Sequence, residues 1–409
     1  MAFAREDMQN LSIKNFDYVI IGAGIVGMTI ARALCKKGIK SIAIIEKESG
    51  VGKHTSGRNS GVLHSGVYYP SDSLKAKFCS TGSKLMRAYA DEKGVKYKTT
   101  GKVIVALNNE QMPMIDFLYQ RGLANGVKVK KISLAELNDL EPEAKSFGEA
   151  LHCPETAVID SKSILKQLTD ELADLGIQIF FDEKVKQINV SERSIMTEKN
   201  KFSYGHLVNA AGLHADRLAH QMEVGLKYKI MPFKGLYKKI IPTQESRFRG
   251  SIYPVPDLKF PFLGVHITRT ADEHVYVGPT AIPAFGRENY GVIAGMSPLE
   301  FAPISYGLSK MFFNNHDNFR NYVSAEMGKY SKTGFWKCVK ALAPNLAVSD
   351  LESSEKVGIR AQLVDQEKMK FVMDFVVEKG SDSTHILNAI SPAFTCSFAF
   401  ADWIVQGLP

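Results

Sequence analysis

The sequence predicts an α/β protein whose N-terminal part contains a parallel sheet, together with an inserted α+β domain built on an antiparallel sheet. A short apolar strand at 17–21, a helix at 27–37 and a buried strand at 41–45 follow one another. A strand–helix–strand unit of this length implies parallel pairing. Between about 228 and 280 the pattern changes to strands separated by turn signals, which is typical of an antiparallel sheet.

The other elements follow in chain order. An amphipathic helix is predicted at 161–175, where Asp160 begins it and Gly176 ends it. Strands are predicted at 178–181 and 206–210, and two more at 229–241 and 275–278 in the second domain. Residues 297–343 have a mainly helical pattern, and strands recur from Gly358. A closing helix at 392–403 has Pro392 near its start.

The composition limits the function classes. With 409 residues, of which 45% are hydrophobic, the chain can bury the cores of two domains. The net charge of +8 indicates an anionic partner, but the basic residues form no stripe of the kind that binds nucleic acid. The five cysteines are scattered without a CxxC pair, so we expect no metal site, no disulfide framework and a reducing, intracellular setting.

No targeting or membrane-spanning segment is predicted. Residues 1–16 contain no apolar stretch before a small-residue cleavage site, so they do not resemble a signal peptide. The longest apolar run, 19–35, contains three glycines and Arg32 and is too short to span a bilayer. We therefore expect a cytoplasmic protein, and peripheral contact with the inner face of a membrane stays open.

A glycine motif follows the first strand. Gly22, Gly24 and Gly27 form the pattern GxGxxG between strand and helix, and Glu46 ends the next strand. The first glycine permits a tight turn, the second lets the backbone approach a pyrophosphate, and the third lets helix and strand pack closely. The helix N-terminus offers N–H groups to phosphates, and Glu46 can accept hydrogen bonds from ribose hydroxyls. The motif predicts a dinucleotide site without deciding between FAD and NAD.

Later segments are more specific. They read HTSGRNSGVLHSGVYY at 54–69, SLKAK at 73–77, IYPVPD at 252–257, FPFLGVH at 260–266, GP at 278–279, GIRAQ at 358–362 and NAISPA at 388–393. These segments resemble the L-2-hydroxyglutarate dehydrogenase/oxidase family of the D-amino-acid-oxidase-like FAD-dependent oxidoreductases. The resemblance runs from about residue 16 to 405. It implies that L-2-hydroxyglutarate is oxidised to 2-oxoglutarate by hydride transfer to FAD.

The resemblance also implies a division into domains. A discontinuous, Rossmann-like FAD-binding domain is expected at 16–95, 150–225 and 345–409, and a substrate domain at 96–149 and 226–344. The sequence departs from the family at Lys234, where we expect arginine, and at 394–396, which read Phe-Thr-Cys instead of a run of small residues.

The FAD contacts implied by the resemblance extend those of the glycine motif. The backbone of Val185 is expected against adenine, and the first N–H groups of the closing helix are expected to stabilise negative charge on reduced flavin. We predict non-covalent attachment, with His64 and Cys396 as the alternative anchors. The predicted cofactor-binding residues are Gly22, Gly24, Ile25, Val26, Gly27, Glu46, Lys47, Ser56, Asn59, Ser60, Gly61, Val62, His64, Val185, Ala210, Ala211, Gly212, Arg360, Ala393, Phe394 and Thr395.

Two histidines are candidates for the base that takes the hydroxyl proton of a 2-hydroxy acid. His266 lies on a predicted strand on which Leu263, Val265 and Ile267 alternate to the opposite face. His64 lies in a segment rich in glycine and serine that is expected beside the flavin ring. The sequence does not decide between them.

Positive charge is needed for the carboxylates of a dianionic substrate. Arg360 follows a glycine on a short strand, where its fork can bind a carboxylate in two-point fashion. Lys234 is a point charge on a strand that is otherwise apolar nearby, and a substrate contact is predicted for it. Tyr237 and Tyr253 are further candidates because each has an aromatic hydroxyl.

Two other functions remain open: an amine or amino-acid oxidase on the same fold, and a flavin-binding protein without turnover. Bleaching of the flavin by substrate distinguishes the three functions. A 2-hydroxy acid bleaches the flavin of a hydroxy-acid oxidoreductase, an amine bleaches that of an amine oxidase, and neither bleaches that of a protein without turnover. The final electron acceptor, oxygen or a quinone, and the oligomeric state are not predicted.

Overall fold

The computed structural model describes residues 13–409, so most of the segment behind the signal-peptide prediction lies outside the described residues. The strands are β1 (Ile13–Ile21), β2 (Ile42–Ile45), β3 (Val62–Leu63), β4 (Tyr97–Thr99), β5 (Lys102–Val105), β6 (Lys130–Ile132), β7 (Ala150–Cys153), β8 (Ala157–Ile159), β9 (Gln178–Phe180), β10 (Gln187–Asn189), β11 (Ser194–Met196), β12 (Lys201–Asn209), β13 (Tyr228–Ile240), β14 (Ser251–Pro254), β15 (His266–Arg269), β16 (Val275–Gly278), β17 (Ile282–Pro283), β18 (Leu351–Asp365), β19 (Lys370–Phe371), β20 (Val376–Gly380) and β21 (Ser383–Asn388). The α-helices are α1 (Ile25–Lys36), α2 (Leu74–Glu92), α3 (Met112–Ala124), α4 (Leu134–Leu140), α5 (Ser161–Asp174), α6 (Ala215–His220), α7 (Pro298–Asn314), α8 (Phe319–Gly328), α9 (Lys332–Leu342) and α10 (Ala393–Gln406).

The first sheet is mainly parallel. Its strands follow the order β10-β11-β12-β1-β2-β9, and β21 adds to β12 and carries β20 at its far side. The β1–β2, β1–β12, β2–β9 and β12–β21 pairs are parallel. Every residue of β2 and the last four of β1 are buried, as expected for strands covered by helices on both faces. The predicted α/β fold is confirmed.

The glycine motif shapes the β1–α1 connection. Gly22 has φ +106°, and a Cβ there would lie 2.6 Å from the carbonyl oxygen of Ala210. A Cβ on Gly27 would lie 2.0 Å from the carbonyl oxygen of Gly22. Both contacts are too short for a side chain, so these positions require glycine for the turn and for the packing of α1 on β1.

Helix α10 is held close to the first helices. It packs on α1 and α2, and on α2 a Cβ at Gly82 would lie 2.5 Å from the carbonyl oxygen of Thr395. Because this crossing is so close, the start of α10 is held rigidly against the segment that contains His64. The amide of His64 donates to Thr395 Oγ1 over 3.1 Å.

The second sheet follows the order β19-β18-β13-β16-β15-β14-β5-β7-β6, with β17 on β13. Its pairs are antiparallel except for β5 with β14, which is parallel and was not predicted. The long β13–β18 pair sets Phe233 opposite Arg360 and Gly235 opposite Gly358. On the β14–β15 pair, Ile252 lies opposite Ile267.

The sheet pairing differs from two of the expected domain boundaries. Strand β7 (Ala150–Cys153) and strands β18 and β19 belong to the second sheet, although 150–225 and 345–409 were expected in the FAD-binding domain. The reason is long-range pairing, because β18 matches β13 over nearly its whole length. The helical prediction for 297–343 corresponds to α7, α8 and α9. No described helix is long and apolar enough to cross a membrane.

Candidate functional site

A cavity of about 450 Å³ lies between the two sheets. At one end, which we call the glycine end, it is lined by the β1–α1 turn, Glu46 and Ser56. At the other end, which we call the histidine end, it is lined by His64, Tyr237, Tyr253, His266 and Arg360. The cavity thus extends from the carboxyl ends of the parallel strands, where ligands of open α/β sheets bind, to the second sheet.

Backbone amides organise the glycine end. Glu46 accepts hydrogen bonds from the amides of Ala23, at 2.9 Å, and Glu48, at 3.0 Å. These bonds hold the carboxylate at the end of β2, where it lines the cavity. Ser56 Oγ accepts the Ile25 amide at 3.0 Å, and a Cβ on Gly24 would lie only 3.1 Å from that oxygen. At Gly22 and Gly24 the turn therefore presents backbone to the cavity.

At the histidine end, His266 is arranged as a neutral base. Its Nδ1 lies 2.9 Å from the carbonyl oxygen of Gly264 and 3.3 Å from that of Leu263. Carbonyls only accept, so Nδ1 carries the proton and the Nε2 lone pair is free. Burial is the main cause that lowers the pKa of His266 to about 4; the nearby Arg360 and Lys102 act in the same direction, and the carbonyls of Gly264 and Leu263 oppose it. The Tyr253 ring stacks on the imidazole, with centroids 3.9 Å apart.

His64 lies in the same end of the cavity with fewer contacts. Its Nε2 lies 3.4 Å from Ser391 Oγ, and its Nδ1 has no hydrogen-bond partner within residues 13–409. Burial lowers its pKa to about 3, and the charges of Lys102 and His266 act in the same direction. Both histidines are therefore neutral at physiological pH.

Arg360 gives the histidine end its positive charge. Its Nη1 donates to the carbonyl oxygen of Thr280 at 3.0 Å, and its guanidinium lies over the Phe262 ring at 5.3 Å. Gly235 packs closely next to it, since a Cβ there would lie 2.7 Å from the Cβ of Pro279. The other guanidinium N–H groups have no hydrogen-bond acceptor within residues 13–409, and Arg360 lines the cavity. This arrangement suits a carboxylate ligand.

The start of α10 faces the same space. The Ala393 amide is used within the turn, where it donates to the carbonyl oxygen of Ile390 at 2.8 Å. For the amides of Phe394 and Thr395 there is no acceptor in the described part of the chain, as is usual in the first turn of a helix. These two N–H groups, at the positive end of the helix dipole, can stabilise negative charge in the cavity.

Comparisons with known proteins identify the family of this chain. The family model described as "DAO: FAD dependent oxidoreductase" matches residues 17–406.

The chain belongs to this family of FAD-dependent oxidoreductases.

Its curated relatives include three L-2-hydroxyglutarate dehydrogenases. The protein of Indibacter alkaliphilus is 36% identical, over 96% of this chain and 98% of the relative. The mitochondrial protein of Homo sapiens is 34% identical, over 97% and 89%, and that of Escherichia coli is 32% identical, over 96% and 92%. The predicted family is confirmed.

Two solved structures show the same fold. The L-alpha-glycerophosphate oxidase of Mycoplasma pneumoniae with FAD bound matches with a TM-score of 0.76 and 21% identity, over 97% of this chain and 96% of that one. The glycine oxidase of Geobacillus kaustophilus matches with a TM-score of 0.71 and 15% identity, over 97% and 96%.

The residues present fit FAD. Three features match the needs of a flavin dinucleotide. Gly22 and Gly24 allow close backbone approach, the anchored Glu46 carboxylate suits ribose contact, and the unpaired N–H groups at α10 suit charge stabilisation. The predicted residues that line the cavity are Gly22, Gly24, Ile25, Val26, Glu46, Lys47, Ser56, Asn59, Ser60, Val62, His64, Val185, Ala210, Ala211, Gly212, Tyr237, Tyr253, His266, Arg360, Ala393, Phe394 and Thr395.

Three predicted site residues do not line the cavity. Gly27 acts through helix packing, and a Cβ on Gly61 would lie 2.4 Å from the carbonyl oxygen of Ile159, so it too serves packing. The third residue is Lys234, for which the predicted substrate contact is wrong. It lies on the face of β13 opposite to Gly235, and its Nζ donates to Asn289 Oδ1 at 3.2 Å and to the carbonyl oxygen of Gly291 at 2.6 Å.

The orientation of Leu263 also differs from the prediction. This residue was predicted on the face opposite to His266, but β15 begins at His266, and the irregular backbone before it turns Leu263 toward the cavity. Cys396, the alternative covalent anchor, is fully buried and is absent from the cavity lining.

Sequence reasoning missed a charge network beside the glycine end. Lys47 Nζ lies 2.8 Å from Glu288 Oε1, which also accepts from His214 Nε2 at 2.9 Å, and Glu48 Oε1 contacts His54 Nε2 at 2.9 Å. The His214 hydrogen bond, with the Lys47 contacts, lowers the pKa of Glu288. Ligand atoms of Glu48, His54 and Glu288 lie within 4.8 Å of one another, but the Lys47 ammonium already provides their positive charge. No sequence signal pointed to Glu288, because it is distant in the chain from Lys47.

Proposed function

We propose that this FAD-dependent oxidoreductase oxidises L-2-hydroxyglutarate to 2-oxoglutarate. The observation that carries the proposal is the histidine end, where a neutral imidazole with a free Nε2 and a guanidinium face the same space. A 2-hydroxy acid requires a proton acceptor for its hydroxyl and a cation for its carboxylate, and this end offers both. The names of the curated relatives support the choice of substrate.

The residues divide the work as follows. Arg360 holds one carboxylate by its remaining N–H groups, and Tyr237, which also lines the cavity, can donate its hydroxyl to the other carboxylate. Tyr253 supports His266 by ring stacking. His266 Nε2 takes the hydroxyl proton, while its Nδ1 stays bound to the Gly264 carbonyl. FAD, when bound, would accept the hydride from the α-carbon, so that the substrate loses one hydride to FAD and one proton to His266. His64 remains the alternative base.

We propose that FAD is held without a covalent bond. The glycine end offers a close backbone surface and the Glu46 carboxylate, which bind a dinucleotide by hydrogen bonds alone. Acid precipitation tests this, because the yellow colour should remain in the supernatant. Colour in the pellet that persists in a His64→Ala variant would exclude His64 as the anchor, and loss of that colour would identify it.

The substrate is tested by anaerobic mixing of the holoenzyme with single compounds. L-2-hydroxyglutarate should bleach the flavin absorbance, while D-2-hydroxyglutarate, lactate, glycine and L-proline should leave it largely unchanged. Bleaching by an amino acid alone would replace the proposal with the amine-oxidase alternative. Absence of bleaching by the whole panel, with chemical reduction by dithionite intact, would favour a flavoprotein without turnover.

We also propose that the two sheets form two domains, and that the second sheet with α7 to α9 is the substrate domain. The support is the sheet pairing, which joins 102–153, 228–283 and 351–371. The membership of 150–153 and 351–371 in this domain replaces the boundaries expected from the sequence. Limited proteolysis with and without FAD tests the division, since FAD should protect cleavage sites in 16–95 and 161–225 more strongly than those in 298–342.

We also propose a peripheral contact with the cytoplasmic side of a membrane; the electron acceptor stays open between oxygen and a quinone. Val292, Ile293 and Leu299 are 91%, 76% and 88% exposed, which is unusual for three large apolar residues so near in the chain. Vesicles of anionic phospholipid should bind the protein in flotation assays. Ile293→Ser with Leu299→Ser should weaken this binding, and Leu175→Ser, which changes another exposed leucine, should not. Equal binding by all variants would contradict the assignment.

A further inference from the structure

A lysine is buried behind the histidine end. Lys102, on β5, is 1% exposed, and its Nζ has no hydrogen-bond partner within residues 13–409. No carboxylate of the described chain forms an ion pair with it. Burying an ammonium away from any anion is unfavourable, so packing alone does not account for a lysine at this position.

The register of three strands places Lys102 on the same face as the catalytic candidates. Lys102 lies opposite Ser251 on β14, and Ser251 lies opposite Thr268 on β15. Since side chains two residues apart on a strand share a face, Tyr253 and His266 belong to this face as well. The intervening residues Val103, Ile252 and Ile267 point the other way, into the hydrophobic core beneath the sheet.

The ammonium contacts aromatic rings in place of an anion. Lys102 Nζ lies 4.4 Å from the ring centroid of Tyr68 and 5.2 Å from that of Tyr253. Tyr253 in turn stacks on His266, with the two centroids 3.9 Å apart. The ammonium, the phenol ring and the imidazole therefore form a continuous stack, in which the cation–π contact stabilises the charged form of the lysine.

Several charged and titratable groups surround this stack. His266 faces Lys102, Arg360 and Tyr253, and the carbonyls of Gly264 and Leu263 contact its Nδ1. His64 faces Lys102 and His266. Burial lowers the pKa of Lys102, and the nearby thiols of Cys153 and Cys79 act in the opposite direction, as do the aromatic rings that contact its ammonium. With no carboxylate among these groups, protonation of either histidine would place a second positive charge beside Lys102.

We propose that Lys102 is a positioning residue for the proposed oxidation: its ammonium orders the Tyr253–His266 stack and adds to the effect of burial, which favours the neutral form of both cavity histidines. The inference rests on the proposed function for the identity of the reaction. It does not require that L-2-hydroxyglutarate be the substrate, because any substrate that loses a hydroxyl or ammonium proton to the histidine would report it.

The test is the pH dependence of kcat/KM in Lys102→Met, Lys102→Arg and a matched control, Lys75→Met. Lys75 is also a buried lysine over aromatic rings, Tyr69 and Phe375, but neither of these rings stacks on a cavity histidine. Removing the Lys102 charge should raise the pKa of the base, so that activity is lost at a pH higher by about one unit. Lys102→Arg and Lys75→Met should keep the wild-type acidic limb. The FAD content and the flavin spectrum should stay normal in all three.

If the acidic limb of the Lys102→Met profile lies at the same pH as that of the wild type, the inference is overturned. If that variant does not retain FAD, the wild-type holoenzyme still decides, through NMR of lysine side chains labelled with ¹³C at Cε. The Lys102 signal, assigned by its loss in Lys102→Arg, should have the shift of an ammonium across the working pH range. A neutral amine there would overturn the inference. Failure of L-2-hydroxyglutarate to bleach the wild-type flavin would count against the proposed function alone, since the same profiles can be measured with the substrate that does.

Discussion

At the glycine end of the cavity, the groups that face a ligand are backbone atoms of short continuous segments, whereas the histidine end is assembled from side chains on β13, β14, β15 and β18. The glycine end is internally satisfied: Glu46 accepts two amides, and Ser56 accepts the Ile25 amide. The histidine end leaves buried polar atoms unpaired, among them His64 Nδ1 and the Tyr253 hydroxyl.

This difference indicates how the two ends contribute. A surface whose own hydrogen bonds are complete is rigid before a ligand arrives and binds by shape and close approach. Unpaired buried polar groups cost free energy in the folded protein, and such groups concentrate where a ligand supplies the missing partners. The glycine end should therefore determine whether FAD binds, and the histidine end whether and how the reaction proceeds.

The largest expected effect is at the glycine end. Gly27→Ala places a Cβ 2.0 Å from the carbonyl oxygen of Gly22, so α1 must move away from β1. We expect the unfolding free energy to fall by about 3 kcal/mol, with loss of bound FAD and hence of all activity. Flavin absorbance per protein and thermal unfolding measure this. Gly328→Ala, where a Cβ would meet open space, is the control and should retain both. A Gly27→Ala protein that keeps its yellow colour would contradict the expectation that the glycine end determines FAD binding.

The next effect separates the two histidines. His266→Ala should lower kcat by about a hundred- to ten-thousand-fold, because the hydroxyl proton loses its acceptor, while the flavin spectrum and FAD content stay normal. His64→Ala should instead disturb the flavin spectrum, since the imidazole that it removes belongs to a residue that lines the cavity beside the start of α10. We favour His266 as the base because a strand holds it. Stopped-flow flavin reduction measures both variants, and a normal reduction rate in His266→Ala would reassign the base to His64.

A smaller effect is expected at Arg360. Arg360→Gln leaves a substrate carboxylate unpaired, which costs on the order of 1 to 3 kcal/mol, or about 5- to 150-fold in KM. The FAD content should not change. Lys234→Gln serves as the comparison, because its Nζ is bound to Asn289 and Gly291 on the other face of β13. It should change the melting temperature and leave KM unchanged. Similar KM values for wild type and Arg360→Gln would place the carboxylate elsewhere.

The smallest effect concerns stability and pH. The folded-state pKa values of His64, His266 and His385 lie at about 3, 4 and 4, below the ordinary value of 6.5. The unfolded chain therefore binds more protons below pH 6.5, and stability must fall as the pH decreases from there. Burial raises the pKa of Glu141 to about 7, which acts in the opposite direction. This single carboxyl group is outweighed by the three histidines. The melting temperature of the holoenzyme should be lower at pH 5 than at pH 7.5 by about 4 °C or more. A higher value at pH 5 would contradict the buried, neutral histidines.

The local elements were predictable because they depend on neighbours in the chain. The β1–α1–β2 unit, helix α5 with its Asp160 cap, and the three helices between 298 and 342 follow from periodicity, caps and glycine. The glycine motif likewise needs only three positions and a strand before them. The strand that contains Arg360 was predicted too, but its pairing partner was not, and the expected domain boundary at 345 differs from the observed pairing for that reason.

By itself, the sequence determined the FAD fold, the glycine end and the two histidines as candidates, since each is encoded in a continuous segment. Only the tertiary structure decided that Lys234 faces away from the cavity, that Glu288 joins Lys47, and that Lys102 lies behind His266. These outcomes depend on which strands pair and in which register, and a shift of one residue reverses the face that every side chain occupies. That choice is made by contacts distant in the chain, which local patterns do not contain.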